Sequence, residues 1–281
     1  MGRNLVIARV GGNSLHRCWI DRGRPRNWDL YLCPYQDIPP QSGLDCTEGK
    51  VIPGPKWSGL RELLTQWDGW RDYDFIWLPD DDVFASQDTI SRMFDLAAAL
   101  DFQLFAPALA EVSYYEHFST MRNGSFHARS VGFVEIMVPG FRRQTLEQLL
   151  PTFDHTTTGW GWGLDVAWPK LLGYEGIGII DATPVLHTRP VGQFRDAELD
   201  RRVNEESERI RAHFDCRLWH TVFSAVGADL QLLPLDPDRL LVSAVEGWRY
   251  LLAQKPAVLA SIVEHQKFQR EGRAERLRRA A

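Results

Sequence analysis

The sequence has few of the features that mark membrane-spanning, disulfide-stabilised or zinc-binding proteins. Its 281 residues include only four cysteines, and none of them lies in a C-x-x-C pair or at zinc-ligand spacing. In a chain of this size they are expected to be reduced thiols. No window approaches the roughly 20 apolar residues that a spanning helix needs, and the N-terminal apolar run is too short for a signal peptide. We therefore expect a cytoplasmic protein.

The chain also has no excess of basic charge. The chain carries 32 Lys and Arg against 37 Asp and Glu, a net charge of -5, so no general affinity for nucleic acid is expected. The stretch from Lys267 to Arg279 is an exception, because it is locally basic. A solvated helix or tail would explain it. The alternative is peripheral contact with the anionic inner face of a membrane or with an acidic partner.

The common phosphate-binding loops are missing as well. The dipeptide Gly11-Gly12 is not a G-x-G-x-x-G fingerprint, and no G-x-x-x-x-G-K-[ST] loop occurs. The sequence therefore gives no support to a dinucleotide-binding or P-loop protein. With 44% hydrophobic and 25% charged residues it is nevertheless close to the globular average, and it can bury a core.

Strand and helix patterns alternate along the first two thirds of the chain, which predicts an α/β fold with a mostly parallel mixed sheet flanked by helices. Ser86 is placed to cap one helix. Strands are expected at 5–10, 28–33, 74–78, 104–106, 131–137, 177–180 and 185–188, helices at 57–67, 86–100, 142–150, 165–172, 196–211 and 240–269, and a Gly-rich loop at 151–163. We expect one α/β domain over 1–195 and a helical C-terminal extension over 196–281.

Three consecutive carboxylates, Asp80-Asp81-Asp82, follow a strand of apolar residues. Ligands of open α/β sheets bind at the carboxyl ends of strands, and three acids there repel one another unless a cation lies among them. Oxygen ligands suit Mg²⁺ or Mn²⁺. A purely structural alternative is an acidic turn at the start of the next helix, where the helix dipole favours Asp.

The segment Gly159-Trp160-Gly161-Trp162-Gly163-Leu164-Asp165 combines alternating glycines with two of the chain's 11 tryptophans. Glycine permits positive φ and close backbone approach, and a flat indole can stack on the apolar face of a sugar. Asp165 then falls at or near the start of a helix. The structural alternative is a Gly-rich turn with two core tryptophans and a capping Asp.

The segment YDFIWLPDDDV resembles the D-x-D region of GT-A glycosyltransferases. This resemblance implies that Asp82 holds the metal, that Asp80 contacts the ribose or the metal, and that Asp81 belongs to the donor site without a defined partner. Gly159–Asp165 resembles the W-G-x-(E/D)-D loop of inverting GT-A enzymes, including the β-galactosyltransferases. It implies Asp165 as general base, with Leu164 where many of those enzymes carry another acid.

The same loop implies sugar contacts from Trp160, Gly161, Trp162 and Gly163. The order of motifs is also similar to a plant and bacterial family of glycosyltransferase-like proteins known as a domain of unknown function. The similarity covers roughly residues 3–195. The motifs that carry it lie at residues 133–139, 161–165, 178–181 and 185–187. It implies a GT-A-like, Rossmann-like fold and an enzyme class, but no particular substrate.

Further site candidates come from the ends of other expected strands. His187 is a candidate third metal ligand, since GT-A enzymes often supply a late histidine, and a buried histidine bonded to the backbone is the alternative. The nucleotide-binding candidates are Arg9, Gly11, Asn13, Tyr35, Lys56, Asp80, Asp81 and Arg189. The acceptor candidates are Tyr115, His117 and Glu135, the last because it is an acid inside an apolar run.

The sequence thus predicts a metal-dependent glycosyltransferase that uses Mn²⁺ or Mg²⁺. A nucleotide-sugar, expected to be a UDP-sugar, is the donor, and a glycan, glycoconjugate or other hydroxyl compound is the acceptor. Direct displacement with inversion is expected from a base at Asp165. The alternatives are a metal-dependent nucleotidyl or phosphoryl transferase and a non-catalytic saccharide-binding protein.

Overall fold

The computed structural model describes residues 3–193 and 195–267. Its strands are β1 (Asn4–Val10), β2 (Trp28–Pro34), β3 (Thr47–Glu48), β4 (Phe75–Trp77), β5 (Val83–Phe84), β6 (Leu104–Leu109), β7 (Ala128–Val131), β8 (Gly140–Arg142), β9 (Ile177–His187) and β10 (Val222–Val226). Its α-helices are α1 (Lys56–Gln66), α2 (Gln87–Ala99), α3 (Arg143–Leu149), α4 (Leu164–Leu171), α5 (Ala197–His213), α6 (Pro237–Gly247), α7 (Arg249–Gln254) and α8 (Val258–Lys267).

The strands form a mixed sheet in the order β10-β7-β9-β6-β8-β4-β1-β2-β3, with β5 paired to β9. In the described part of the chain, β1 to β4, β6, β9 and β10 run in one direction, while β5, β7 and β8 run in the other. All seven residues of β1 are buried, as expected for a strand covered on both faces. The predicted α/β class, mostly parallel and flanked by helices, is confirmed.

Local signals placed several elements correctly. Ser86 caps α2, since its hydroxyl accepts a hydrogen bond from the Thr89 N–H at 3.1 Å. The charged stretch after residue 196 forms α5, which packs against α4. The two strands expected at 177–180 and 185–188 are one continuous strand, β9.

The strand expected at 131–137 is wrong. β7 ends at Val131, and residues 132–139 form a buried loop without regular structure. Its carbonyls are satisfied by other segments: Met137 accepts the Asp80 N–H at 2.9 Å, and Val138 accepts the Trp77 indole N–H at 2.9 Å. An apolar run in a buried loop resembles a buried strand in sequence, because both consist mostly of apolar residues.

The remaining differences concern turns and the C-terminal third. The loop expected at 151–163 begins with a 3₁₀ turn, Leu150–His155, and the helix expected at 240–269 is divided into α6, α7 and α8. Pro256 explains the second division, because the residue before proline avoids the helical region. The sequence analysis did not predict β10, which extends the sheet beyond residue 195.

The predicted division at residue 195 stays a prediction. The basic side chains from Lys267 to Arg279, for which a solvated tail and a membrane contact were the two alternatives, lie outside the described residues. Across residues 3–193 and 195–267, no helix has both the length and the apolar character needed to cross a bilayer.

A buried ion pair ties the C-terminal helices to the sheet. Arg129 on β7 and Asp181 on β9 are fully buried, and the Arg129 Nε lies 2.9 Å from Asp181 Oδ2. The guanidinium also donates to the carbonyl of Met121 at 2.8 Å and lies over the Trp248 ring between α6 and α7. Trp248 donates its indole N–H to the same Met121 carbonyl at 3.0 Å.

We expect Asp181→Asn to lower the free energy of unfolding by about 3–5 kcal/mol, because it leaves the Arg129 charge buried and uncompensated. Urea denaturation measures this loss. Glu111→Gln is the control: it removes the charge from a half-exposed pair with Arg122 at 3.8 Å, and no measurable change is expected. Equal small losses in both variants would contradict the assigned role.

Candidate active site

Two aspartates and a histidine come together where β5 meets the end of β9. Asp80, Asp82 and His187 each offer one ligand atom, and these atoms all lie within 4.8 Å of one another. The antiparallel pairing places Val83 opposite His187, so the residue before β5 lies beside the last residue of β9. The Thr188 N–H and hydroxyl both donate to the Asp82 carbonyl, at 3.1 and 2.8 Å. These bonds hold the segment after β9 against the segment before β5.

The His187 ring is fixed in orientation. Its Nδ1 lies 2.9 Å from the Tyr114 carbonyl, which can only accept a hydrogen bond, and its Nε2 lies 3.2 Å from Asp82 Oδ2. Burial alone would lower the pKa of His187, but the hydrogen bond and charge of Asp82 outweigh it and the pKa is raised. A histidine that donates Nδ1–H to a carbonyl turns Nε2 towards a metal in many metal sites.

Lys56, at the start of α1, supports Asp80. Its ammonium lies 2.6 Å from Asp80 Oδ1 and donates to the carbonyls of Ile136 and Met137 at 2.8 and 2.9 Å. Burial lowers the pKa of Lys56, and Asp80 opposes that shift. The three donors of the ammonium are thus all used by protein acceptors, whereas the sequence predicts Lys56 as a nucleotide-binding residue.

Asp81 lies outside this cluster and faces the ends of β1 and β2. Its Oδ2 accepts from the hydroxyls of Ser14 at 2.5 Å and Tyr35 at 2.9 Å, and its Oδ1 lies 3.3 Å from Arg189 Nη1. Burial first, and then Asp81, raises the pKa of Tyr35 to about 12. Gly11 leaves room for this arrangement, since a Cβ there would overlap the Tyr35 ring.

The other nucleotide candidates have different surroundings. Asn13 offers its backbone carbonyl to Arg189, which joins it to the Asp81 group. Arg9 is buried, and its Nη2 donates to the carbonyls of Ile52 and Gly54 at 2.6 and 2.8 Å. The structure therefore places Arg9 as a support of the loop before α1 and does not bring its guanidinium to the acid cluster.

The Trp-Gly loop needs its glycines. Gly159, Gly161 and Gly163 have φ values of +78°, +78° and +94°. Residues other than glycine rarely adopt such a backbone conformation. A Cβ at Gly161 would overlap the buried Trp57 ring, and one at Gly163 would press on the backbone of Ser207 at 3.0 Å. The loop therefore lies directly on α1 and α5.

Glu206 of α5 anchors the beginning of this loop. Its carboxylate accepts hydrogen bonds from the backbone N–H groups of Thr157 and Thr158, at 2.6 and 2.7 Å, and from the hydroxyls of Thr156, Thr157 and Thr158, each at 2.8 Å. Burial would raise the pKa of Glu206, but these bonds lower it. The sequence analysis missed this residue, although three consecutive threonines before the glycines signal a need for an acceptor.

Trp160 and Trp162 are half-buried and share a cationic neighbour. The Arg195 guanidinium carbon lies 4.3 Å from the ring centroid of Trp162 and 5.9 Å from that of Trp160. Such contacts are attractive because the ring face carries negative potential. Arg195 thus covers one side of the indole pair, and the sequence analysis did not identify it.

Asp165 lies in the first turn of α4 and is buried. Burial raises the pKa of Asp165 to about 7, while backbone N–H groups, that of Ile136 first, oppose the rise. Glu135 is buried next to it: burial, and then the charges of Asp165 and Asp80, raise its pKa well above the ordinary range. Residues 135–137 therefore connect the cluster of Asp80, Asp82 and His187 to Asp165.

The last two acceptor candidates lie in a different environment. His117 stacks edge-on against Phe133 and lies 4.8 Å from His220, measured between ring centroids. Burial lowers the pKa of His117 to about 4, with a smaller effect from His265. Tyr115 lies under Lys255, whose ammonium is 4.3 Å from the ring centroid. Contacts with an acceptor stay predictions for both residues.

The donor atoms of Asp80, Asp82 and His187 fit a divalent cation. Two carboxylate oxygens and an imidazole nitrogen are ligands that Mn²⁺ accepts, and Mg²⁺ takes one or two carboxylates with substrate phosphates. The His187 Nδ1–H is already used by Tyr114, so Nε2 can offer its lone pair. Lys56 occupies one oxygen of Asp80, which leaves the other for a ligand role.

Comparison with known proteins yields only weak likenesses. No protein-family model and no curated protein sequence matches the chain. The structure of S. aureus TarS 1-349 with UDP-GlcNAc gives a TM-score of 0.45 at 10% identity and covers 98% of this chain and 88% of its own. TarS 1-349 with UDP gives 0.44 at 11% identity, covering 76% and 70%, and another TarS structure gives 0.44 at 10%, covering 98% and 53%. Similarity this low assigns neither a family nor an activity.

We expect Gly161→Ala to destabilise the protein more than Gly23→Ala, by about 1–3 kcal/mol in the free energy of unfolding. Both glycines have positive φ, so alanine at either position adds backbone strain of about 1–3 kcal/mol. Only at Gly161 does the new methyl group overlap a buried ring, since nothing lies within 4 Å at Gly23. Equal losses on urea denaturation would show that the loop does not depend on its contact with Trp57.

Proposed function

We propose that this protein is a metal-dependent glycosyltransferase of the GT-A type that uses a nucleotide-sugar donor, expected to be a UDP-sugar. The observation that carries the proposal is a buried carboxyl, Asp165, joined by residues 135–137 to a cluster of two aspartates and a histidine. A phosphate-binding centre beside a carboxyl with a pKa near neutrality combines the two requirements of glycosyl transfer. One group must hold the leaving diphosphate, and another must take a proton from the acceptor.

Asp82, His187 and the free oxygen of Asp80 would hold Mn²⁺ or Mg²⁺. When bound, the ion neutralises charge that develops on the leaving diphosphate. Arg189 is paired with Asp81, which also binds the Tyr35 hydroxyl, and its planar guanidinium suits phosphate oxygens. Asp81, Tyr35 and Asn13 would then border the nucleoside.

Asp165 is the proposed general base. The acceptor oxygen forms a bond to the anomeric carbon while the bond from that carbon to the diphosphate oxygen breaks, and the electron pair leaves with the diphosphate. The Asp165 carboxylate takes the acceptor proton. Glu206 holds Thr157 at the beginning of the loop, and the Gly159–Gly163 backbone leads from there to Asp165 in the first turn of α4. Attack opposite the leaving group gives inversion.

Two other functions fit parts of the same geometry. A nucleotidyl or phosphoryl transferase would use the acid cluster, but the sequence lacks the Gly-rich, Lys-containing loop that cradles a triphosphate. A non-catalytic saccharide-binding protein would use Trp160 and Trp162, but it would not require a buried carboxyl whose pKa is raised to about 7. Glycosyl transfer is the function that uses all of these groups.

We expect a nucleoside diphosphate, UDP first, to bind only when Mn²⁺ or Mg²⁺ is present. Thermal stabilisation and calorimetry with UDP, GDP, CDP and ADP, each with Mn²⁺ or with a chelator, measure this. At a ligand concentration of about a hundred times Kd, binding adds about 2.7 kcal/mol to stability. Asp82→Ala should remove the effect, while the exposed control Asp72→Ala should keep it. Failure of every nucleotide to show metal-dependent binding would reject the proposal.

We expect Asp165→Asn to lower transfer by roughly 10²–10⁴-fold while nucleotide affinity stays nearly unchanged, because the amide cannot accept a proton. The raised pKa sets the direction of the pH dependence. A base must be deprotonated, so the wild-type rate should be constant above pH 7 and fall about tenfold per unit below it. Nucleotide binding over the same pH range is the control. A rate that stays flat down to pH 5 would contradict Asp165 as the base.

A further inference from the structure

Lys56 places a cation directly against one of the candidate metal ligands. Its ammonium lies 2.6 Å from Asp80 Oδ1, and the backbone N–H of Asp80 is held by the Met137 carbonyl at 2.9 Å. The carbonyls of Ile136 and Met137 accept the other ammonium donors at 2.8 and 2.9 Å. Three acceptors match the three donors of an ammonium group, so the side chain is fixed beside Asp80.

The ammonium is less accessible to solvent than the carboxylate that it binds. The Lys56 side chain is 14% exposed and the Asp80 side chain 34%. Asp80 also contributes a ligand atom to the cluster with Asp82 and His187, in which these atoms all lie within 4.8 Å of one another. One carboxylate therefore joins the lysine to the metal position. A charge at this depth is screened only weakly by salt.

The charges at the cluster leave little attraction for a free divalent ion. Asp80 and Asp82 carry two negative charges, and Lys56 cancels one of them. Asp81, the other acid of the triplet, is paired with Arg189 at 3.3 Å. The cluster thus offers one net negative charge to an ion of charge +2. Further anionic oxygens complete the compensation, and substrate phosphates are the usual source of them for Mg²⁺.

We propose that Lys56 makes the cation site depend on the nucleotide: its charge keeps the affinity for the free ion low and favours an ion that binds together with a diphosphate. Lys56 is thus a positioning residue that acts through Asp80 and keeps its bonds to the protein. This inference rests on the proposed function, and it adds the coupling between ion and nucleotide and the residue that sets it. Such coupling is reciprocal, because each ligand changes the affinity for the other by the same factor.

A purely structural role for Lys56 predicts a different result. If the lysine only held Asp80 in place, its loss would displace that ligand and weaken the binding of both ion and nucleotide. A charge that opposes the free ion and favours the diphosphate has opposite effects on the two ligands. The affinity for the free ion, measured without nucleotide, therefore separates the two roles.

The first measurement is the Kd of Mn²⁺ without nucleotide, by electron paramagnetic resonance of the unbound ion and by calorimetry. Lys56→Met should bind free Mn²⁺ at least about tenfold more tightly, because a positive charge beside the ion is gone. In the same variant the Kd of UDP at saturating Mn²⁺ should rise about tenfold, because the loaded site is less positive. Lys50→Met, at an exposed lysine, is the matched control and should change neither Kd.

Two further substitutions separate charge from folding. Lys56→Gln also removes the charge but keeps amide donors for the carbonyls of Ile136 and Met137, and it should tighten free Mn²⁺ binding as Lys56→Met does. Lys56→Arg keeps the charge, so its Kd for free Mn²⁺ should stay within about threefold of the wild-type value. Circular dichroism and thermal unfolding identify the variants that are folded, and the titrations use those.

The two affinities must move in opposite directions when the charge is removed. Weaker or unchanged binding of free Mn²⁺ in the folded neutral variants would overturn the proposal. So would free Mn²⁺ binding in Lys56→Arg as tight as in Lys56→Gln. If wild-type UDP binding still needs Mn²⁺ in those cases, this inference fails while the proposed function stands. If no nucleotide binds to the wild type with metal, the proposed function itself fails.

Discussion

Repulsion between closely packed carboxylates is the constraint on which the candidate site depends. Like charges at this spacing cannot all ionise without compensation, and burial makes each one more costly. The fold gives each acid a different compensating group: Lys56 for Asp80, Tyr35 with Arg189 for Asp81, His187 for Asp82, and backbone N–H groups for Asp165. Glu135 is the acid left with an unpartnered oxygen.

The buried loop after β7 contacts several of the groups that compensate these acids. Its carbonyls at 136 and 137 bind the Lys56 ammonium, the carbonyl of 137 also accepts the Asp80 N–H, and the N–H of 136 reaches Asp165. A regular strand would have given these backbone groups to neighbouring strands. The loop conformation instead leaves them free to hold side chains from α1, α4 and the turn after β4.

Sequence patterns were informative where the cause is local. A few adjacent residues are enough to recognise the acid triplet after an apolar strand, the Ser86 cap and the alternating glycines. The α/β class follows from the alternation of strand and helix patterns along the chain. The rest is not local. The loop at 132–139 looks like a strand because it is apolar, and β10, Glu206 and Arg195 act through partners that lie 30 or more residues away. A single sequence does not specify such pairings.

Two basic residues that the sequence predicts as nucleotide-binding, Arg9 and Lys56, show what this difference means for charge. Arg9 and Lys56 turn inward and give their donors to carbonyls and to Asp80. Lys56 keeps its charge at Asp80, whereas the Arg9 guanidinium supports the loop before α1 and is not available to the site. A diphosphate at this site would meet the carboxylates of Asp80, Asp81 and Asp82, and the neighbouring cations Lys56 and Arg189 are already paired with Asp80 and Asp81. The proposed reaction therefore requires a divalent cation at Asp80, Asp82 and His187 for donor binding itself, before any effect of that cation on the leaving group.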